Sequence, residues 1–249
     1  MGVGDRPRGR REPTASGRRA SDGDRPVIPL YHDFSDARVL VFGGGRVGAR
    51  KARRFVREAD VVAVSPTFND RFTDPGLAAV DRVRAAPDPA DAADWVGRVA
   101  PALVVAATDD TALNRAAEKA ARDHGALVNR ADQSGRRDVD SVVVPATVHD
   151  DPVSVAISTG GKSPALARYL RQQIEAEIEN AGAMAELTGR LRTELKTAGY
   201  TPADRRAAIR SVVRSSSVWK GLHTGTPKAE KEAERVMAAE HDDMDGDSR

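Results

Sequence analysis

Three glycines that follow an apolar run are the first residues with a spacing typical of ligand binding. Gly43, Gly45 and Gly48 have the G-x-G-x-x-G pattern and come directly after Val39-Leu40-Val41-Phe42, a run that predicts a buried strand. Gly43 would allow a tight turn, Gly45 the approach of a pyrophosphate, and Gly48 the close packing of a helix on the strand. The helix N-terminus would supply free N–H groups and partial positive charge. The motif predicts a dinucleotide site rather than a plain glycine turn.

The next apolar run ends without the acid that usually binds the ribose 2′-hydroxyl in a dinucleotide fold. Val61-Val62-Ala63-Val64 leads into Ser65, Pro66 and Thr67. The hydroxyls of Ser65 and Thr67, or nearby backbone groups, could replace the acid. No arginine stands at Ser65 or Pro66 to receive a 2′-phosphate, so the sequence favours NAD over NADP.

Polar residues also follow the later predicted strands, at the edge where open α/β sheets bind ligands. Thr108-Asp109-Asp110 follows one strand, and Asn129 and Asp132 follow the next. Asp109 or Asp110 is expected to cap a helix, while cofactor contact by the neighbouring backbone stays open. Asp132 could take a proton beside a nicotinamide, but its residue context alone favours a turn aspartate.

A later loop, Ser158-Thr159-Gly160-Gly161-Lys162-Ser163-Pro164, combines hydroxyls, glycines and a predicted helix start. It lacks the Walker spacing, so nucleotide triphosphate hydrolysis is disfavoured, and a structural turn is as good an interpretation as an anion site. None of the 5 histidines shares metal-ligand spacing with another, and the absence of cysteine excludes thiolate sites and disulfides. We therefore expect no metal site.

The order of predicted elements indicates the fold class. Strands and helices alternate through the first half, which predicts an α/β, Rossmann-like, doubly wound parallel sheet. It is followed by a β-hairpin with one apolar face that a partner subunit could cover, and then by a small helical domain. The predicted segments are a disordered Arg-rich tail over 1–26, a nucleotide-binding domain over 27–135, a dimerisation hairpin over 136–163 and a helical domain over 164–225. A charged tail follows over 226–249, as a frayed helix and tail without core residues.

Size and charge restrict the class of protein. A chain of 249 residues has room for one full core and a smaller second one. Its net charge of +2 is too balanced for nucleic acid to be the partner of the whole fold, and no apolar run reaches the length of a membrane span. We expect a cytoplasmic protein, with nucleic-acid binding by the Arg-rich tail as a less favoured alternative.

Taken together and in order, these motifs resemble the precorrin-2 dehydrogenase and sirohydrochlorin ferrochelatase family, which includes the N-terminal half of siroheme synthase. The resemblance covers about residues 27 to 196. The matching segments are Pro29-Leu30-Tyr31, the run from Val41 to Lys51, Ala106 to Asp110 with Asn114, Val128-Asn129 to Asp132, and Ile157 to Ala165.

The resemblance implies that NAD accepts hydride from precorrin-2 in a homodimeric enzyme, with Asp132 as the catalytic residue. Iron insertion by the same protein stays open, and a non-catalytic NAD or tetrapyrrole sensor is the alternative function. The implied cofactor-binding residues are Gly43, Gly45, Arg46, Val47, Ser65, Pro66, Thr67 and Thr108. The implied substrate-binding residues are Asn129, Ser158, Thr159, Gly160 and Lys162.

Overall fold

The computed structural model describes residues 28–133 and 141–246, the last seven of these by backbone alone. The chain divides into two compact units, with the division between Val142 and Val143. The expected tail over 1–26 and the expected boundary at residue 135 lie outside the described residues. No helix in the described part of the chain is long and apolar enough to span a membrane.

The first unit contains a five-stranded sheet in the order β3-β2-β1-β4-β5, with every neighbouring pair parallel. Among residues 28–133, three helices connect the strands, so the predicted doubly wound sheet is confirmed. The strands are β1 Arg38–Phe42, β2 Asp60–Ser65, β3 Asp81–Arg84, β4 Leu103–Ala106 and β5 Leu127–Arg130. The helices are α1 Arg46–Phe55, α2 Ala92–Val99 and α3 Thr111–Asp123, with short 3-10 turns at Asp70–Thr73, Pro75–Leu77 and Pro89–Asp91.

Residues of β1 fill the cores on both faces of this sheet, which explains why its sequence is apolar without interruption. Val39 and Val41 pack on the side of α1, whereas Leu40 and Phe42 pack on the side of α2 and α3. All four are completely buried. The strand order reverses between β1 and β4, and the crevice outside their carboxyl ends is where such sheets bind ligands.

The described part of the second unit contains an antiparallel hairpin and five helices. The strands β6 Ala146–Asp150 and β7 Val153–Ile157 pair in register from Ala146 with Ile157 to Asp150 with Val153, which confirms the predicted hairpin. Leu187, Val212 and Val218 lie at the centre of a helical core. The helices are α4 Pro164–Glu177, α5 Ala181–Thr197, α6 Pro202–Arg214, α7 Ser216–Thr224 and α8 Thr226–Gly246.

The segment after Thr226 differs from its prediction. It forms the long helix α8, and Ala229 and Ala233 on that helix are completely buried in the helical core. A Cβ atom at Gly221 of α7 would lie 2.8 Å from the Cα of Ala229, so the two helices pack backbone against backbone. The expectation of a charged tail without core residues was therefore wrong.

The chain turns between α4 and α5 before the glycine of α5. Helix α4 ends at Glu177, and Asn180 turns the chain in the left-handed conformation, with φ of 65°. Gly182 lies inside α5, where a Cβ atom would come within 2.1 Å of the Asp151 carbonyl oxygen. This glycine allows the hairpin turn to approach the helix closely.

Candidate active site

The turn after β1 contacts β2 and the residue after β4 at the edge of the crevice. Gly43 has φ of 118°, a conformation that side chains rarely adopt, and a Cβ atom there would lie 2.4 Å from the Ala107 carbonyl oxygen. Its N–H donates to the Val64 carbonyl oxygen at 3.0 Å. Gly43 thus has the tight-turn geometry expected of it, at the point where β1 and β4 diverge.

The other two motif glycines differ in what surrounds them. A Cβ atom at Gly48 would lie 1.9 Å from the Gly43 carbonyl oxygen, so Gly48 lets α1 pack closely on the turn. A Cβ atom at Gly45 would meet no atom of the described part of the chain within 4 Å. Gly45 precedes α1, whose N-terminus has no side-chain cap and no acid in its first turn. This open space before uncapped N–H groups fits a pyrophosphate.

Gly44 is a packing glycine that the motif alone did not identify. A Cβ atom there would lie 2.0 Å from the Thr67 carbonyl oxygen and 2.8 Å from the Oγ of Ser65. The Gly44 carbonyl oxygen accepts a hydrogen bond from the N–H of Asn69 at 2.8 Å. The turn after β1 and the segment after β2 are therefore in direct contact, with Pro66 and Thr67 exposed beside them.

Thr108 is held at the crevice by a buried asparagine. Asn114, with no exposed surface, accepts from the Oγ1 of Thr108 at 2.8 Å and donates to its carbonyl oxygen at 2.8 Å. Asp110 caps α3 by accepting from the N–H groups of Ala112 and Leu113 at 2.7 and 3.1 Å. The capping prediction is confirmed for Asp110 rather than for Asp109.

Asp132 forms one end of a chain of ion pairs that runs back to α3. Arg130 donates from Nε and Nη2 to the two carboxylate oxygens of Asp132, at 2.8 and 2.7 Å. Its Nη1 donates to Glu118 at 2.6 Å, and Glu118 also accepts from Arg122 at 2.7 Å. The side chain of Arg130 is only 4% exposed. The aspartate is thus fixed in place rather than free in a turn.

This pairing determines the charge of Asp132. The hydrogen bonds from Arg130 lower the pKa of Asp132 below its ordinary value, and partial burial of the carboxyl does not cancel that effect. Asp132 is therefore a carboxylate throughout the neutral range. Each of its oxygens has a second lone pair, so the group can still accept a hydrogen bond from a ligand.

Asn129 precedes this pair and has an unused acceptor. Its Nδ2 donates to the Val142 carbonyl oxygen at 2.7 Å, and only 6% of the residue is exposed. Its Oδ1 is buried and has no hydrogen-bond partner among residues 28–133 and 141–246. Buried acceptors are normally paired, so this oxygen is available to an N–H donor.

The loop before α4, in the second unit, uses its hydroxyls to form its own turn. Ser158 Oγ accepts from the Gly160 N–H at 3.2 Å, and Thr159 Oγ1 donates to the Ser163 carbonyl oxygen at 3.1 Å. Ser163 caps α4 through the N–H of Leu166 at 3.2 Å. Lys162 is exposed. The structural-turn interpretation is supported, and the proposed anion contacts of this loop stay a prediction.

The structure therefore groups the site residues by unit. Those predicted in the first unit lie at or just after the carboxyl ends of β1, β2, β4 and β5, along one edge of the sheet, with Ser65 the last residue of β2 and Asn129 inside β5: Gly43, Gly45, Arg46, Val47, Ser65, Pro66, Thr67, Thr108, Asn129 and Asp132. The described residues contain no group of three or more His, Asp or Glu that could hold a metal ion. Glu118 is the member that the sequence did not identify. Arg130, which the sequence offers as a cation for the substrate carboxylates, is instead paired with Asp132 and Glu118.

Comparison with known proteins agrees with this architecture. Residues 30–146 match a family described as putative NAD(P)-binding, and residues 150–177 match the central region of sirohaem biosynthesis proteins. A solved structure of SirC, a precorrin-2 dehydrogenase, covers 84% of this chain and 98% of its own, with a TM-score of 0.63 and 19% identity. At that identity the likeness concerns the fold alone.

Two curated relatives share more sequence. The siroheme synthase of Actinobacillus succinogenes is 33% identical over 216 residues, which cover 82% of this chain and 42% of that protein. The precorrin-2 dehydrogenase of Methanosarcina barkeri is 31% identical over 215 residues, which cover 85% of this chain and 94% of that protein. The chain spans less than half of the synthase and nearly all of the dehydrogenase. On this evidence the chain belongs to the precorrin-2 dehydrogenase family.

Proposed function

We propose that this chain oxidises precorrin-2 to sirohydrochlorin, with NAD as the hydride acceptor. The observation that carries the proposal is the turn between β1 and α1. A glycine facing open space precedes an uncapped helix N-terminus there, at the crevice where the strand order reverses. The name of the Methanosarcina relative supplies the substrate.

The cofactor would lie along the carboxyl edge of the sheet. Amides between Gly43 and Val47 would bind its pyrophosphate, and Ser65 with Thr67 would face its adenosine ribose. Thr108, fixed by Asn114, would line the crevice toward the nicotinamide. Bound NAD supplies the acceptor for one hydride, and the second hydrogen of the oxidation leaves the substrate as a proton.

We assign Asp132 the role of a fixed negative charge near the reacting part of the tetrapyrrole. Loss of hydride leaves positive charge on the macrocycle, which a preoriented carboxylate stabilises. Arg130 lowers the pKa of Asp132, so the carboxylate binds a proton only weakly and would release it to water. The Oδ1 of Asn129 would accept from a pyrrole N–H.

The substrate carries many carboxylates, which favours cations and N–H donors in its cleft. The loop residues Ser158, Thr159, Gly160 and Lys162 are our candidates in the second unit. Lys162 is exposed, and Gly160 and Gly161 have positive φ values. The hydroxyls of Ser158 and Thr159 would then contribute mainly by shaping the turn.

We also propose a homodimer formed through the hairpin and α4. No residue of α4 is buried, and Leu166 and Tyr169 are 47% and 57% exposed. A second copy of the chain would cover this apolar surface. Light scattering on the purified protein tests this. The cytoplasmic location stays a prediction from the sequence.

Turnover of precorrin-2 is the experiment that tests the proposed function. Purified protein, freshly made precorrin-2 and NAD are mixed without oxygen, and the sirohydrochlorin spectrum is followed. We expect turnover by the wild type and none by Gly45→Asp, which places a carboxylate where the pyrophosphate would lie. Gly76→Asp is the matched control, since a Cβ atom at Gly76 also meets nothing within 4 Å.

The outcomes separate the dehydrogenase from the sensor. Tight binding of NAD and precorrin-2 without turnover would favour the sensor and contradict the proposal. A parallel reaction with ferrous ion measures siroheme formation above the uncatalysed rate, and so tests the chelatase activity that the sequence left open.

A further inference from the structure

The end of β2 has an arginine as its neighbour where a dinucleotide fold usually has an acid. β2 ends at Ser65, and residues 61–69 contain no Asp or Glu. In the register of the sheet Ser65 pairs with Arg84, the last residue of β3. Adjacent strands lie about 4.8 Å apart, so the fold makes neighbours of residues that are distant in sequence.

Ser65 points to the face of the sheet that α1 covers. Side chains alternate along a strand, and Ala63 packs in the core on the α1 side whereas Val64 packs on the opposite side. Ser65 therefore shares the face of Ala63. Its Oγ lies 2.8 Å from the position of a Cβ atom at Gly44, directly beside the turn that precedes α1.

Arg84 points to the same face. Val83 packs against the core on the opposite side of the sheet, and the Nη1 of Arg82 donates at 3.3 Å to the carbonyl oxygen of Phe72, a residue of the α1-side core. By alternation Arg84 shares the face of Arg82. Ser65, Arg84 and the turn before α1 therefore surround one corner of the sheet edge.

The donors at this corner are not used by the protein itself. Arg84 and Arg46 are exposed and form no hydrogen bond or ion pair through their side chains within the described ranges of the chain. In the same ranges the hydroxyls of Ser65, which is 8% exposed, and of exposed Thr67 make no hydrogen bond either. Guanidinium and hydroxyl groups are the donors that bind phosphate oxygens in proteins.

We propose that this corner accepts a 2′-phosphate on the adenosine ribose, so that the chain binds NADP as well as NAD. Arg84 donates charge-assisted hydrogen bonds to the phosphate, Ser65 and Thr67 donate from their hydroxyls, and Arg46 adds positive charge. An acid at the end of β2 would repel the phosphate, and this chain has a serine there. The inference rests on the dinucleotide site of the proposed function.

Calorimetric titration with adenosine fragments tests this without any turnover. The probes are 2′,5′-ADP, which carries the ribose phosphate, and 5′-ADP, which lacks it; NADP and NAD are titrated in parallel. The variants are Arg84→Gln and, as a control that also removes one exposed cation, Arg57→Gln beyond the far end of α1. Unfolding by circular dichroism verifies that both variants keep the fold.

We expect wild type to bind 2′,5′-ADP and NADP, and Arg84→Gln to weaken both by about tenfold or more, as loss of a charge-assisted hydrogen bond does. Arg84→Gln should change the affinity for NAD and for 5′-ADP by less than about twofold. Arg57→Gln should leave the affinity for all four ligands unchanged. Wild type that binds NAD but not 2′,5′-ADP, or an equal effect of the two variants, would overturn the proposal and leave the dehydrogenase function intact. Failure to bind any probe would contradict both.

Discussion

Arg130 holds both carboxylate oxygens of Asp132, with Nε at 2.8 Å from one and Nη2 at 2.7 Å from the other. The same guanidinium donates to Glu118 on α3 at 2.6 Å. Because the planar guanidinium of Arg130 is hydrogen-bonded to a carboxylate on each side, it fixes the orientation of Asp132 as well as its charge. The orientation of Asp132 at the sheet edge is therefore set by a helix that does not itself carry a proposed ligand contact.

Replacing Arg130 tests this arrangement through pH dependence. In Arg130→Gln the pKa of Asp132 should rise toward its ordinary value, so the acid limb of the turnover profile should move to higher pH. Asp132→Asn should remove that limb and lower turnover while NAD affinity stays nearly unchanged. Calorimetry and initial rates measure the two effects. An acid limb that is unchanged in Arg130→Gln would contradict the role of Arg130.

The same substitution should lower stability, because it leaves Glu118 with one cation instead of two. We expect a loss of about 3 kcal/mol in unfolding free energy at pH 7, the lower end of the range for breaking a buried pair. The pKa of Asp132 is lower in the folded protein than in the unfolded chain, where it is about 3.9. The pairing of Asp132 therefore stabilises the fold fully above the unfolded pKa, and this stabilisation is lost as pH falls through the folded pKa. The difference between wild type and Arg130→Gln should therefore shrink below about pH 4. A difference that stays constant would contradict this.

Replacing two adjacent glycines by alanine should affect stability and NAD binding differently. Gly45→Ala adds a methyl group that meets no protein atom, so stability should change by less than about 1 kcal/mol while NAD binding weakens. Gly44→Ala forces a contact 2.0 Å from the Thr67 carbonyl oxygen and should cost about 1–3 kcal/mol. Thermal melts without ligand and NAD titrations measure the two effects. Wild-type NAD affinity in Gly45→Ala would show that the pyrophosphate does not lie there.

Helix α5 offers a similar pair. Gly189→Ala adds a methyl group in open space within the helix and should stabilise the protein by roughly 0.5–1 kcal/mol. Gly182→Ala should destabilise it, since the methyl group would lie 2.1 Å from the Asp151 carbonyl oxygen, and the N–H of Gly182 also donates to Asp150 at 2.9 Å. Denaturant unfolding of both variants measures this. Equal effects would contradict the close approach of hairpin and helix.

Lys51 on α1 gives a prediction in the alkaline range. Burial, with smaller effects from Arg50 and Arg54, lowers the pKa of Lys51 to about 8. Its charged form therefore costs stability in the fold at pH 7, and this cost disappears as pH rises from 8 toward the unfolded value of about 10.4. Lys51→Met should raise stability at pH 7, and the gain should vanish near pH 10. Exposed Lys231→Met is the control, and a gain independent of pH would contradict the prediction.

The parallel sheet could be predicted because its signals are local. Apolar runs such as Val39 to Phe42 end at glycines or polar residues, and helices of suitable length separate them. The hairpin follows from two apolar strands around a short polar turn. The core contacts of α8 were not predicted because its completely buried residues are the alanines Ala229 and Ala233, and small residues add little to a hydrophobic pattern.

The candidate site could be predicted only where the motif lies within one segment. The roles of Gly43 and Gly48 follow from the G-x-G-x-x-G spacing, and the structure gives both the expected contacts. Arg130 and Asp132 are only two residues apart in the sequence, but nothing local indicates Glu118 as the third partner. The approach of Arg84 to Ser65 depends on strand order and register, which the sequence alone does not provide.

The ratio of NADH formed to sirohydrochlorin formed tests the central claim most directly. Purified protein is mixed with precorrin-2 and excess NAD without oxygen, and both products are followed by absorbance. We predict equal amounts of the two products and no reaction when NAD is left out. Sirohydrochlorin that forms at the same rate without a nicotinamide cofactor, or a protein with no affinity for NAD or NADP, would contradict the account.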